Sequence, residues 1–520
     1  MKGLITSILT LLTLTGIHAQ SSSGTPKLVV GLTIDQLRTD YIEAFSSLYG
    51  EKGFKRLWKE GKIYLNADYT FTGIDCASAI AAIFTGTTPS INGVVSAKWL
   101  DPTTLKLVSA VEDPSFIGYY TSENSSPAKM LTSTIGDELK LATQGRALVY
   151  AIAPFREAAV FGAGHNGNGA FWVNEMTGKW GGTTYYGDFP TWVSEYNDTK
   201  SIESRAATLT WTPAFPAKSY INIPAEQAEK SFSYKFDDTT RRQFKRLIAS
   251  PVINDEVNLL VENFLDRSTI GKDDITDLLS VTYNAGVNQD APPTMLEIQD
   301  TYVRLDRSIA RLIDSVDKKL GLENVLFFVT SAGYSGVEPD DYKEYRIPGG
   351  EFHINRCTAL LNMYLMATYG EGQYVEAYSG TQIYLNHKLI EQKQLDPVDI
   401  QKKASDFLIQ FTGVNDVFSS YRLLLGAWAP EMCKHRNAYH RKRSGDLIID
   451  VLPGWTVIDE KSSDYKIVRN TYIPKPLVFM GHSVKPEIIN TPVTMDHIAP
   501  TVAYFMRIRA PNACVTAPLF

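Results

Sequence analysis

Between Thr70 and Gly86 the chain reads Thr-Phe-Thr-Gly-Ile-Asp-Cys-Ala-Ser-Ala-Ile-Ala-Ala-Ile-Phe-Thr-Gly. The small and apolar run from Cys76 to Phe84 predicts a short helix, preceded by a polar turn and stopped by Thr85-Gly86. Cys76 then falls where the chain enters the helix, and free N–H groups with about half a unit of positive charge collect there. Phosphate and sulfate bind at such ends, and a thiol placed there ionises more easily. The stretch is a candidate anion pocket with a nucleophile-type side chain at its mouth. The alternative is a structural thiol, small and buried among Ala77, Ala79, Ala81 and Ala82, as core cysteines commonly are.

Two charged residues join it. Asp35 ends the apolar, β-branched run from Lys27, a buried-strand pattern. A carboxylate at the C-terminal end of such a strand lies where α/β sheets place their ligands. It could equally N-cap the helical-looking stretch Gln36 to Phe45. Arg156 follows a second buried-strand pattern, Ala147 to Ala153. A guanidinium there can clamp an oxyanion or stand in a surface ion pair.

The elements that must position these residues alternate in type. Further helical patterns cover Gly53 to Gly61, Leu131 to Thr143, Pro292 to Gly321 and Thr494 to Arg507, and further buried strands cover Asn324 to Thr330 and Pro476 to Met480. In the long helix Ile298, Tyr302, Leu305, Ile309, Leu312, Ile313 and Val316 share one face and read as core. Strands alternating with helices predict an α/β fold, a mainly parallel sheet covered on both faces in three layers. Residues 170–235, rich in Trp, Tyr, Thr and Pro, read as an irregular β-containing insertion. Residues 335–465 read as a second insertion, with a strand at Thr381 to Asn386, a charged helix from Pro397 to Gln410 and a strand at Asp446 to Leu452.

The 520 residues are 44% hydrophobic and 21% charged, an ordinary globular composition long enough for a large core. A formal charge of -6 argues against nucleic acid as a partner. Lys2 followed by the apolar stretch Leu4 to Ile17 and Ala19 has the form of a secretory signal peptide, cut after Ala19. Residues 20–26 are a flexible leader, and no later stretch reaches transmembrane length. The expectation is a periplasmic or secreted protein whose four cysteines meet an oxidising compartment. Cys357 with Cys433 is the favoured pairing among three connectivities, since both lie in the late insertion.

From Lys27 to the C-terminus the chain resembles the alkaline phosphatase superfamily, in particular its bacterial periplasmic monomeric branch and the related type I phosphodiesterases and nucleotide pyrophosphatases. The resemblance rests on Val-Val-Gly-Leu-Thr-Ile-Asp35, Phe84-Thr-Gly-Thr-Thr-Pro-Ser-Ile-Asn-Gly93, Ala163-Gly-His165, Ile383-Tyr-Leu-Asn-His387, Lys442-Arg-Ser-Gly-Asp446 and Pro453-Gly-Trp455. It implies a site with two zinc ions about 4 Å apart that activate a Thr or Ser nucleophile and hold the phosphoryl group. It puts Cys76 at the nucleophile position and Asp35 at the first metal ligand. Sulfatase relatives convert such a Cys to formylglycine, but the places that conversion reads hold Ser78 and Ile80.

At the other implied positions this chain departs from the pattern. The family's Asp-x-x-Gly-His falls on Thr282 to Gly286, and its Asp-His-Gly on Ala332-Gly333-Tyr334. No His occurs between Glu460 and Gly481, where Tyr465 is the equivalent of the last zinc ligand. Ala97 stands for the phosphate-holding Asn, and of a Lys-x-Arg pair only Arg156 remains. His435 and His440 lie among Lys434, Arg436, Arg441 and Arg443, a surrounding that disfavours a cation, and Asp340-Asp341 after Glu338 read as solvated charge. The sequence therefore predicts a degenerate member without zinc or other cofactor, with Asp35 an isolated remnant ligand. It would bind a small anionic ligand or a partner protein of the envelope. The alternative is a phosphomonoesterase or phosphodiesterase that uses Cys76, with Arg156 on the oxyanion.

Overall fold

A computed structural model describes residues 24–224, 231–237, 243–287, 293–333, 349–426, 429–460, 464–467 and 473–520. Its frame is an eleven-stranded mixed sheet. The strands are β1 Leu28–Asp35, β2 Lys62–Asp68, β3 Gly118–Tyr119, β4 Val149–Ala153, β5 Gly169–Val173, β6 Trp180–Thr183, β7 Asp277–Asn284, β8 Val325–Ala332, β9 Lys475–Gly481, β10 Glu487–Ile489 and β11 Val493–Thr494. They lie in the order β10-β2-β9-β8-β1-β7-β4-β5-β6-β3, with β11 paired to β2. β8, β1, β7, β4 and β5 are successive parallel neighbours. β9 enters antiparallel between β8 and β2, and β6 returns antiparallel on β5.

Alternation along the central strands explains the layers. Leu28, Val30, Leu32 and Ile34 of β1 face one core, shared with Leu279, Val281 and Tyr283 of β7 and with Val325, Phe327 and Val329 of β8. Val29, Leu278, Leu326 and Phe328 face the opposite core. The first core is closed by α3 (Val252–Arg267) and α4 (Met295–Leu320), the second by α1 (Cys76–Thr85), α2 (Arg156–Ala163) and α9 (Ile498–Met506). This is the three-layer α/β fold that the alternating pattern predicts, and the apolar face expected on the long helix lies in the first core. Strands buried on both faces need continuous apolar runs, which is why β1 and β8 stand out in the sequence. β7 does not, because Asp277, Ser280, Thr282 and Asn284 interrupt it.

Several boundaries differ from the sequence reading. The helix after β1 starts at Thr39 with Arg38 as its N-cap, so Asp35 is not a cap. Gln36 takes φ 62° and its N–H still bonds Ala332 O at 2.9 Å, so the chain turns out of the strand before any helix begins. Part of the stretch expected as an insertion from 170 to 235 belongs to the central sheet, as β5 and β6. The 335–465 stretch builds a lobe with its own core, including Phe352, Leu361, Ile383, Ile400 and Leu447. A four-stranded sheet and a three-stranded sheet frame it, with α5 (Ile354–Tyr369), α6 (Pro397–Leu408), α7 (Ser420–Leu425) and α8 (Pro430–Ala438). All four cysteines are free thiols, so the favoured Cys357–Cys433 bridge is not made. Cys357 is 1% exposed, buried with the apolar side chains of the lobe's core. The signal peptide, most of the leader, Tyr334, Glu338, Asp340 and Asp341 lie outside the described residues. Among those described, no helix is long and apolar enough to cross a membrane.

The close fit of the sheet to its second layer shows at Gly31. A Cβ there would meet Phe328 Cζ at 2.3 Å, and Phe328 is fully buried. Gly31→Ala is expected to cost about 1–3 kcal/mol by overpacking, read from denaturant midpoints. Phe328→Leu in the same chain should return part of that loss, and a neutral Gly31→Ala would contradict the packing described.

Candidate functional site

The mouth of α1 is built by its own N-cap. Asp75, extended at φ -126°, accepts Ser78 N at 2.9 Å through Oδ1, while Ser78 Oγ accepts Asp75 N at 3.0 Å, a reciprocal capping box. Its second oxygen accepts Ala97 N at 2.6 Å. A carboxylate of the chain therefore holds two of the amides that a bound anion would need. Gly86, left-handed at φ 63°, ends the helix.

Asp35 comes to the same place from the end of β1. Register sets its neighbours, since Asp35 is level with Asn284 on β7 and Ala332 on β8. Asn284 is not available to a ligand. Its Nδ2 donates to Ile248 O and Gly286 O, both at 3.1 Å, and its Oδ1 accepts Gly286 N at 2.8 Å. Gly333 follows β8 at φ 93°, and a Cβ there would lie 2.3 Å from Asp35 Oδ1. Asp35 itself accepts Gln36 Nε2 at 3.1 Å and hydrogen-bonds the Cys76 thiol. Tyr69 closes the floor, its hydroxyl donating to Ser331 O at 2.7 Å.

Burial pushes the Asp35 carboxyl up to about 7, with Asp75 adding to the rise and the hydrogen bonds from Gln36 and Cys76 opposing it. The Cys76 thiol is pushed well above its ordinary range by burial, then by Asp35, Asp75 and Glu157. This reverses the expectation of an easily ionised thiol. The helix dipole offers about half a charge, while whole negative charges stand on the other side and burial penalises the thiolate further.

Arg156 begins α2 and its side chain is 12% exposed. Its Nη1 meets Glu123 at 3.1 Å, and its Nη2 meets Glu157 at 3.3 Å and Ser109 Oγ at 2.9 Å. The guanidinium is thus in the ion-pair arrangement, half-buried rather than fully on the surface. Sequence reasoning missed Asp75, Glu123 and Glu157. Asp75 was legible as Asp-x-x-Ser at a helix start and Glu157 stands beside Arg156, but nothing local marks Glu123, which arrives from a loop.

The lobe seats α8 on the turn leading to Cys76. Lys434 meets Asp68 at 2.6 Å, Asn437 Nδ2 donates to Thr70 O at 2.8 Å, and His435 Nδ1 lies 3.4 Å from Thr72 Oγ1. Asp68 also meets Lys475 at 3.3 Å, a lysine that is 1% exposed. Burial, then Arg443 and Lys442, depress His440. Among the described residues no group of three or more His, Cys, Asp or Glu is placed to hold a metal ion.

Comparison with known proteins decides the family. A model of the type I phosphodiesterase / nucleotide pyrophosphatase family matches residues 29–475. The chain belongs to that family. It is 30% identical over 515 residues to the alkaline phosphatase PafA of Elizabethkingia meningoseptica, covering 95% of this chain and 94% of that protein. It is 28% identical to the alkaline phosphatase PhoV of Synechococcus elongatus, with 94% and 92% covered. The crystal structure of wild-type PafA superposes with a TM-score of 0.85 at 29% identity, covering 95% of this chain and 98% of that one. This type I phosphodiesterase-like chain therefore keeps the alkaline phosphatase superfamily fold along almost its whole length.

Two measurements check the site's electrostatics. The folded-state value of Asp35, about 7, lies above the ordinary 3.8, so the fold favours its protonated form. That contribution is complete below about pH 4 and is lost as pH rises through about 7, on the order of 4 kcal/mol at most. Asp35→Asn should gain stability relative to the parent between pH 4 and pH 8, and a difference constant across that range would contradict the assignment. Iodoacetamide should label Cys76 more slowly at pH 8 than it labels a cysteine peptide, and faster labelling would show a thiol activated after all.

Proposed function

We propose that this protein is a degenerate member of its family, one that has lost the two-zinc site and acts by binding a ligand or partner rather than by hydrolysing phosphate esters. The observation that carries the reading is the set of side chains level with Asp35. A zinc ion needs three or four converging imidazole, carboxylate or thiolate donors. Beside Asp35 stand Ala332, a backbone-bound Asn284, Gly333 without a side chain, and a thiol held in its protonated form. These residues do not suit the zinc pair that the resemblance implies, and no step is derived through it. Among the described residues the charged neighbours of the Cys76 thiol are carboxylates that raise its pKa, so without a Lewis acid they do not activate it. The phosphate clamp is satisfied internally as well, with Arg156 held by Glu123 and Glu157.

A second reading is favoured by the relatives, PafA and PhoV, which are named alkaline phosphatases. On that reading the chain hydrolyses phosphate mono- or diesters with Cys76 as nucleophile and Arg156 on the oxyanion. Both readings take the protein as exported, through residues 1–19.

Metal analysis and turnover on one purified sample separate the two. The degenerate reading expects no stoichiometric zinc and no hydrolysis of p-nitrophenyl phosphate or bis(p-nitrophenyl) phosphate above that of Cys76→Ala. Two tightly bound zinc ions per chain, or turnover that disappears in Cys76→Ala, would overturn it. N-terminal sequencing of the mature protein should begin at Gln20.

A further inference from the structure

The chain holds three Asn-Gly dipeptides, Asn92-Gly93, Asn166-Gly167 and Asn168-Gly169. Such a pair carries its own chemistry. A glycine has no Cβ, so its amide nitrogen can swing against the carboxamide of the residue before it. Attack closes a cyclic imide and expels ammonia. The geometry must allow it: the glycine nitrogen has to be unbonded, and the carboxamide has to turn toward it with water at hand.

The fold protects two of the three. Asn92 is fully buried, its Nδ2 donates to Thr87 O at 3.0 Å, and its Oδ1 accepts Val94 N at 2.9 Å. Gly93 N is occupied as well, donating to Pro89 O at 2.9 Å. Asn168 is tied to the first residue of β4, where its Oδ1 accepts Val149 N at 2.9 Å and its N–H donates to Val149 O at 2.7 Å. Gly169 is buried at the start of β5.

Asn166 is different. It is exposed, and among the described residues neither its Oδ1 nor the Gly167 N–H has a hydrogen-bond partner. Its hydrogen bonds run from nitrogen to a single oxygen, with N at 2.7 Å and Nδ2 at 3.3 Å from Asp137 Oδ1. The second is longer than the usual N–H···O range, so little holds the carboxamide in place. We propose that Asn166 is a deamidation site, converted by the Gly167 nitrogen and water to aspartyl and isoaspartyl forms. Gly167 N gives its proton to a solvent base and bonds Asn166 Cγ. The Cγ–Nδ2 bond breaks, and Nδ2 leaves as ammonia with a proton returned by water. A water molecule then opens the imide at either carbonyl, so that one carboxamide and one water become one carboxylate and one ammonium ion.

The product faces a carboxylate that the fold uses. Asp137 is 5% exposed, accepts Thr134 N at 2.8 Å in the capping box of the helix Ile135–Ala142, and lies 3.0 Å from His165 Nδ1. Conversion exchanges a donor to Asp137 for a like charge, and the isoaspartyl form also lengthens the backbone by a carbon. Modification therefore weakens the turn between α2 and β5. Asp35, Cys76 and Arg156 take no part, so neither zinc content nor phosphatase rates bear on it.

Peptide mapping by mass spectrometry tests the assignment on the full chain held at pH 8 and 37 °C, beside a sample unfolded in urea. In the folded chain Asn166 is expected to convert about tenfold faster than Asn92 and Asn168, while in urea the three rates should converge. Asn166→Gln should abolish the fast conversion. Asn166→Asp should melt below the parent at pH 8, and if that variant does not fold, the aged parent should show the same downward shift. Conversion of Asn92 or Asn168 as fast as Asn166 in the folded chain would overturn the proposal. So would an Asn166 that stays intact in the folded chain while the unfolded chain loses it. A fully converted chain that melts with the parent would overturn the coupling to Asp137.

Discussion

A carboxylate that the backbone forces into a buried place must find a cation, a proton or a ring of donors, because an isolated buried charge costs several kcal/mol. The parallel sheet forces Asp35 into such a place. β7, β1 and β8 run in register, so their C-terminal ends open on one space, and the residue ending each strand is fixed in it. Asn284 meets its own needs through the backbone and Ala332 offers nothing polar. Among the described residues, what reaches Asp35 is the Gln36 amide and the Cys76 thiol. The carboxyl therefore holds a proton up to about pH 7 and the thiol keeps its own. Gly333 is required by the same crowding, since any Cβ there would collide with Asp35 Oδ1.

The same constraint changes the sign of the pocket that the local sequence describes. A helix start followed by an arginine on the next α/β unit is a description of an anion site. Each positive device here already has a negative partner from the chain. Asp75 caps α1 and takes the Ala97 amide, while Glu123 and Glu157 take Arg156. A helix terminus is worth roughly 0.3–1 kcal/mol to an exposed charge and up to about 2 kcal/mol in favourable sites. That is smaller than the penalty of adding another buried anion among carboxylates. The local rule is sound, and its outcome is decided by residues distant in sequence.

This also marks what could be read in advance. Continuous apolar runs gave away β1, β4, β8 and β9, because a strand buried on both faces has little room for polar side chains. β7 was hidden by its polar residues, and each has a tertiary reason. Thr282 hydrogen-bonds Thr33 at 2.9 Å across the sheet, Ser280 lies where Gly162 of α2 packs closely, and Asp277 holds the amides of Leu148 and Gly271. The N-cap at Asp75 is a local pattern and was available to the eye. The partner of Arg156 at Glu123 was not, because ion pairs between loops leave no spacing rule. Asp35 was legible as a strand-end carboxylate, and its capping role is excluded only by the turn the chain makes at Gln36.

The lobe follows different constraints. Its core is a separate cluster of apolar side chains, so its packing does not pass through the strand ends. Contact with the main domain is made where α8 grips the turn from Asp68 to Thr72 and where Arg443 donates to Lys129 O at 2.8 Å. Substitutions at Asp35's neighbours therefore leave the lobe's own interior intact, and two of the stretches that carry the family resemblance meet within it at His387 and Asp446. The strand ends and the lobe are packed by separate cores, so side-chain change at one falls on residues that the other's interior does not use.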